Sequence, residues 1–535
     1  MSNKNITYLP LLFAFLILLG IYIGTQINRN TGNGILRDQS GSGKVDNLIR
    51  YIEENYVDTV GRQALYDGAI EGLLNKLDPH SQYIPASDFQ AMMDPLRGNF
   101  EGIGVQFRVF RDSITVVHTL EGGPSEAAGI KAGDRIISAD GKKLSGRGIT
   151  SDEVVDLLKG PSGSKVVLKV YRRGLSRLLT FTVSRGVIET SSLDAAFMIG
   201  DDAAYIKISR FSATTAADAR KALIRLHGQG MKKLIVDLRD NSGGFLQAAI
   251  DLAGEFLPKK RTIVYTEGRK RSRKTYYAEG NGTFTSGELI ILINEGSASA
   301  SEILAGAVQD NDRGLIIGRR SFGKGLVQEE LDFRDGSAVR LTVAKYYTPS
   351  GRCIQRAYDG EAEDYAMEPM RRLLRDGDLQ TDTIAQSDTV KYYTSGGRVV
   401  YGGGGISPDF PVPPARDESF RLLHRLSNSG LLQQHTFEYL DIHRKSLETY
   451  RSWKDFARDF SVPDEMLTHL LDQAKKQGIQ DIIPLKPEGR ETLRTLIKAF
   501  LARNLFSDEG FYFIYNQTDQ TVIEALKQLQ DKFMV

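Results

Sequence analysis

Four short apolar runs alternate with stretches of helical spacing, and this pattern constrains the fold more than any other feature of the chain. The runs are Ala203–Ile208, Leu234–Leu238, Leu289–Asn294 and Leu315–Gly318. The stretches between several of them are Thr214–His227, Leu246–Glu255 and Ser299–Gln309. Apolar runs this short, bounded by turn signals, suit strands buried on both faces. With helices as crossovers they predict an α/β core whose strands are substantially parallel, with a further strand over Val339–Tyr347.

The flanks differ in character. Val45, Leu48, Ile49 and Ile52 follow helical spacing. A second run carries Leu65, Ala69, Leu73, Leu74 and Leu77 and stops at Asp78-Pro79, because the residue before a proline avoids helical backbone. These runs predict a small helical arm. Over Phe100–Val187, β-rich runs (Ile114–Val117, Val166–Tyr171, Leu179–Val183) alternate with glycine-rich turns around one helix, Thr150–Leu158. Glu361–Gly397 is polar and irregular and reads as an insertion or loop. Beyond Pro414 two stripes, Met466/Leu467/Leu470/Leu471/Ala474 and Leu493/Leu496/Ile497/Phe500/Leu501, read as helix core.

Near the N-terminus no charge falls between Ile6 and Ile27, and Tyr8–Gly24 is almost wholly apolar. That is close to the roughly 20 residues of a membrane span. No small-residue cleavage site follows, so an uncleaved signal anchor is expected. It would leave the rest of the chain outside the cytoplasm, on the periplasmic side of the inner membrane in a Gram-negative cell. Asn30–Gly43, rich in Gly, Asn and Ser, reads as a linker. The expected organisation is a multidomain α/β protein: anchor 1–30, linker and helical arm 31–99, β-rich module 100–187, α/β core 188–414 and helical domain 415–535.

Composition removes several function classes. A net charge of +2 implies no strong attraction to polyanions, so nucleic acid is not an expected partner. The one cysteine, Cys353, can form neither an internal disulfide nor a cysteine-based metal site, and reads as a small buried apolar residue.

Chemistry concentrates in Ile291–Gln328. An apolar strand enters Asn294-Glu295-Gly296, and a small-residue turn with Ser297, Ser299 and Ser301 opens a helix. Strand–turn–helix placement can expose a nucleophile beside unpaired helix N–H groups. Each serine serves equally well as a helix cap. A serine nucleophile needs a base. None of the seven histidines lies between His227 and His424, so a histidine base would have to come from outside this core. Lysine is the alternative. Lys324 stands between Gly323 and Gly325. A lysine is protonated at neutral pH unless desolvation disfavours its charge, so a lysine base here should be buried when the enzyme is active, with a lowered pKa.

Gly296-Ser297-Ala298-Ser299-Ala300-Ser301-Glu302 and Phe322-Gly323-Lys324-Gly325-Leu326-Val327-Gln328 resemble the carboxyl-terminal processing peptidases (tail-specific proteases, peptidase family S41). Leu77–Tyr83, Val236–Gly244, Tyr347–Arg352 and Gly405–Asp409 extend the resemblance, in order, from about Val45 to Pro414. Ser242 stands where the family often has proline. The resemblance implies a crotonase-like protease core, with Ser299 as nucleophile, Lys324 as general base and Gln328 orienting the lysine. It places the oxyanion hole at the N–H groups of Ala300 and of a glycine in the Gly243-Gly244 turn, Gly244 ahead of Gly243. Asp310 matches an acidic position the family keeps near the dyad. No metal or cofactor is implied, and the helical arm implies a homo-oligomer.

Gly102-Ile103-Gly104-Val105, with Pro124–Ile136, resembles a PDZ domain. This implies capture of a C-terminal carboxylate by the 102–105 loop while the peptide adds as an edge strand. The implied activity is a serine endopeptidase acting on extracytoplasmic proteins with exposed C-terminal tails. The competing expectation is a catalytically weak PDZ scaffold at the membrane, which would tolerate loss of Ser299, Lys324 or Gln328. All three are present.

Overall fold

The computed structural model describes residues 13–23, 43–110, 113–120, 122–146, 148–358, 362–374, 390–414, 418–479 and 485–531. The chain divides into two compact units, Met1–Phe89 with Glu329–Leu341, and Gln90–Gln328 with Thr342–Val535.

In the first unit the helices Lys44–Asn55 and Arg62–Leu74 pair with each other. The turn after the second is closed by Asp78, whose Oδ1 accepts the N–H groups of His80 (3.0 Å) and Ser81 (3.1 Å). Strand Gln82–Ile84 then pairs antiparallel with 338–340. Residues 13–23 are helical, with Phe13, Leu16 and Ile17 exposed. Among the described residues no helix is long and apolar enough to cross a membrane. Much of the expected anchor, and nearly all of the linker after it, lies outside them.

The second unit is built on a six-stranded sheet laid down in chain order: Leu193–Met198, Ala203–Ile208, Lys233–Asp237, Glu288–Ile293, Leu315–Gly318 and Phe410–Pro411. The first pair is antiparallel and every later pair parallel. The register Ile206–Val236–Ile291–Ile316 forms one row across the sheet. This row packs under the helices Thr215–Gly228, Leu246–Gly254 and Ala300–Asp310. The alternate residues Tyr205, Ile235, Ile290 and Leu292 face the other way. Burial on both faces is why these strands read as unbroken apolar runs, and each fully buried Ile or Leu contributes about 1.5–3 kcal/mol.

The second face is covered from the C-terminal region. Val522, Ala525 and Leu529 of helix Gln520–Asp531 pack there with Trp453, Tyr512 and Phe513. The helices from Glu418 onward therefore cover the core sheet while holding a core of their own around Leu470, Leu493 and Ile497. They also meet the β-rich module, where Arg135 Nη2 donates to Asp441 (3.2 Å) and His118 Nε2 lies 3.0 Å from the Arg503 carbonyl oxygen.

That module has five main strands, ordered Val105–Phe110, Ser113–Thr119, Arg135–Ala139, Lys165–Tyr171 and Leu179–Ser184, with Lys142–Lys143 paired to the third. Lys165–Tyr171 alternates exposed and buried residues, the signature of a sheet with one wet face. Helix Ser151–Leu158 starts at a reciprocal cap: Thr150 N–H donates to Glu153 (2.9 Å) and Glu153 N–H to Thr150 Oγ1 (3.3 Å).

Two expectations need correction. Within 361–397 the structure has a helix, Ala362–Leu374, and a strand, Lys391–Tyr393, paired with Val399–Tyr401. Arg356 anchors that helix by stacking over Tyr365 (4.0 Å) and by an ion pair with Glu368, contacts that no local periodicity encodes. Cys353 is partly exposed rather than buried.

Candidate active site

Strand Glu288–Ile293 leads into helix Ala300–Asp310 through Asn294–Ser299. Ser299, the residue before the helix, has φ 54° and ψ −112°. A side-chain-bearing residue held there costs on the order of 1–3 kcal/mol, and such strain concentrates at functional sites. The two neighbouring serines are committed to structure. Ser297 is fully buried; its Oγ donates to the Leu238 carbonyl (2.8 Å) and accepts Asn294 N–H (3.0 Å). Ser301 is also fully buried and donates to the Asn241 carbonyl (2.8 Å). Ser299 alone of the three is partly exposed.

Lys324 lies in a separate turn, yet its backbone is tied to that of Ser299 twice. One carboxylate oxygen of Glu302, Oε2, accepts both Ser299 N–H (2.8 Å) and Lys324 N–H (2.9 Å). The Tyr346 hydroxyl lies 3.0 Å from the Ser299 carbonyl oxygen and 2.5 Å from that of Lys324. The other Glu302 oxygen accepts Gly323 N–H (2.7 Å) and Ser321 Oγ–H (2.5 Å). Lys324 Nζ donates to Gln328 Oε1 (2.8 Å), so the expected lysine–glutamine pairing is present.

Glu302 is the residue that sequence reasoning missed as part of the site. It is completely buried. Burial pushes its carboxyl up to about 7, against the pull of its hydrogen-bond donors. The signal was present: Ser299-x-x-Glu302 has capping-box spacing. The box is used here to join two loops as well as to start a helix.

The turn after strand Lys233–Asp237 approaches the same point. Gly243 has φ 105°, and a Cβ there would sit 2.8 Å from Ser299 Cβ and 3.0 Å from Ala300 N. Its N–H is spent on Asn241 Oδ1 (2.9 Å). Gly244 has φ 144°, and a Cβ would fall 2.1 Å from the Phe211 carbonyl oxygen. Among the described residues the N–H groups of Gly244 and Ala300 have no protein acceptor. Of the two glycines, Gly244 is thus the one with a donor to offer a reacting group.

Asp310 sits elsewhere. It ends the helix that Ser299 precedes, about 16 Å along the axis at 1.5 Å per residue. There it forms a fully buried pair with Arg352 (2.7 Å) and accepts Ser350 N–H (3.0 Å). Its position and partners make it a structural anchor, a correction to the expectation of a place near the dyad.

In the β-rich module Gly102 ends a strand paired to Gly186, and Val105 begins the edge strand. The carbonyls of Ile103 and Gly104 accept Ser125 N–H and Leu120 N–H, each at 3.0 Å, which fixes the loop between them. The outer side of Val105–Phe110 carries no strand among the described residues. Nor does any group of three or more His, Cys, Asp or Glu among them form a metal-binding cluster.

Comparison with known proteins matches residues 202–367 to the model of peptidase family S41 and 116–172 to the PDZ domain. Residues 25–87 match the N-terminal domain of the activating protease CtpB, and 422–508 a family of unknown function. A carboxy-terminal-processing protease of Bartonella bacilliformis is 34% identical over 422 residues, covering 77% of this chain and 93% of the relative. The carboxy-terminal processing protease CtpA of Bacillus subtilis is 34% identical, covering 63% of this chain and 74% of its own. Among solved structures, the photosystem II D1 C-terminal processing protease is 28% identical over 69% of this chain and 86% of its own, with a TM-score of 0.35.

Proposed function

The chain belongs to peptidase family S41, the carboxy-terminal processing serine proteases, and we propose that it cleaves extracytoplasmic proteins near exposed C-terminal tails with a Ser299–Lys324 dyad. The observation that carries this reading is the shared Glu302 carboxylate oxygen. It brings the Ser299 and Lys324 backbones together while the adjacent serines are used as struts.

In the proposed reaction the uncharged Lys324 amine takes the proton of Ser299 Oγ as that oxygen attacks the scissile carbonyl carbon. The developing oxyanion is met by the N–H groups of Gly244 and Ala300, the latter at the positive end of a helix. Lys324 then passes the proton to the leaving amine, leaving an acyl-Ser299. A water deprotonated by the same lysine hydrolyses it. Gln328 Oε1 holds the amine during both half-reactions.

The PDZ module supplies selectivity in this reading. A substrate tail adds to the open edge of Val105–Phe110, and its carboxylate meets the Gly102, Ile103, Gly104 and Val105 loop. Anchoring through the N-terminal apolar segment to the inner membrane, with the protease on its outer side, is part of the proposal. So is assembly into a homo-oligomer, supported by exposed Val45, Leu48, Tyr51 and Leu73 on the arm. The test is cleavage of unstructured proteins that differ only in their last residues, by wild type, Ser299→Ala and Lys324→Ala. Tail-dependent cleavage by wild type alone supports the reading. Cleavage by either variant at the wild-type rate rejects it.

A further inference from the structure

The turn that presents Gly244 is held by a buried charge network whose fourth member comes from the far end of the chain. Asp237 is fully buried, accepts Tyr205 O–H (2.7 Å) and Arg239 N–H (2.9 Å), and pairs with Lys207 Nζ (3.3 Å). The Arg239 guanidinium donates to both Asp237 oxygens, with Nη2 at 2.6 Å. Lys207 Nζ also donates to the Arg239 carbonyl. Arg239 Nη1 then reaches Asp519, at 3.0 Å and 2.8 Å from its two oxygens.

Without Asp519 the cluster is two cations against one carboxylate; with it the charges balance. Asp519 is only 7% exposed. Its position is fixed because Oδ1 also accepts Thr521 N–H (2.9 Å) and Val522 N–H (3.1 Å), capping the helix that covers the sheet. From Arg239 the chain runs through Asp240, bonded twice to Asn294 (2.8 Å each), and Asn241 to Gly243-Gly244. The Arg239–Asp240 end of this turn is thereby clamped, in part from the C-terminal region.

We propose that the C-terminal helical region is part of the catalytic apparatus: Asp519 is a positioning residue that, through Arg239, sets where the Gly244 N–H points. This rests on the reading of Gly244 as an oxyanion donor. A misplaced donor weakens the transition state and leaves ground-state binding intact. A buried pair that served stability alone would lower the melting temperature and leave kcat per folded molecule unchanged.

The experiment compares full-length wild type, Asp519→Asn and Asp519→Glu on one tail-bearing peptide substrate. It also measures affinity for a peptide boronate, which forms a tetrahedral adduct on the nucleophile. Uncleaved substrate binding is measured in the Ser299→Ala background. Folded Asp519→Asn should lose about tenfold or more in kcat, since a whole oxyanion donor is worth on the order of 10²–10³. Its boronate affinity should fall in parallel and its substrate affinity stay unchanged. Should Asp519→Asn not fold, Asp519→Glu, which keeps the charge but moves it by one methylene, gives the same two readouts. Wild-type kcat and boronate affinity in either folded variant would overturn the proposal, as would a loss confined to KM. Wild-type cleavage that survives Ser299→Ala would instead overturn the underlying reading of the site.

Discussion

Replacing Glu302 by glutamine separates the geometry of the site from its stability. The carboxylate faces only donors: Ser299 and Lys324 N–H on one oxygen, Gly323 N–H and Ser321 Oγ–H on the other. An ionised carboxylate is acceptor-only and suits all four. A glutamine offers one oxygen and one NH2: with the oxygen toward Ser299 and Lys324, the NH2 faces Gly323 N–H while the Ser321 hydroxyl can turn to accept it; reversed, the NH2 faces both Ser299 and Lys324 N–H. Hydrogen bonds to a charged group are worth about 1.5–3 kcal/mol each, so even the better placement loosens the junction by at least about 1.5 kcal/mol. Felt in the chemical step, that is roughly tenfold or more in kcat. Stability moves less, because the variant also loses a buried charge. The assay is kcat on a tail-bearing peptide beside thermal unfolding of the same preparation at pH 8. A folded Glu302→Gln enzyme within about threefold of wild-type kcat would refute the claim that this carboxylate joins the two loops.

Other outcomes follow from the same contacts. Gly243→Ala should abolish cleavage while the fold persists, because its Cβ would press on Ser299 Cβ and Ala300 N; cleavage assay beside circular dichroism checks this. Asp310→Asn should lower stability by about 3–5 kcal/mol, the cost of breaking a buried pair, and leave kcat per folded molecule unchanged; denaturant unfolding with active-site titration separates the two. Glu302, pushed up to about 7 by burial, binds its proton more tightly folded than unfolded. Relative to Glu302→Gln, wild type should therefore lose stability as pH rises from about 5 to 7, then level off; denaturant midpoints across that range would show it.

What the sequence made legible was set by the range of the interactions involved. The core strands announced themselves because both faces are buried, and Leu315–Gly318 ends where its apolar run does. The helix Ala300–Asp310 and the lysine turn were visible as local patterns. Among the three serines the choice was not local: it depends on Leu238 and Asn241, some sixty residues away, accepting Ser297 and Ser301. Asp310 misled for a related reason, since its partner Arg352 is invisible to spacing. Helix Ala362–Leu374 was hidden by its charge and by Pro369, and is held by Arg356. The C-terminal helices read correctly as helices, but their docking on the sheet through Val522, Ala525 and Leu529 is a tertiary fact that amphipathic stripes do not specify.

The most direct measurement is mass spectrometry of the acyl-enzyme. Wild type and Lys324→Ala are quenched with acid during turnover of an activated peptide ester, digested, and the peptide spanning 297–301 is sequenced. The account predicts an acyl mass on Ser299 in wild type and its loss in Lys324→Ala. An acyl group on Ser297 or Ser301, or undiminished acylation without Lys324, would contradict it.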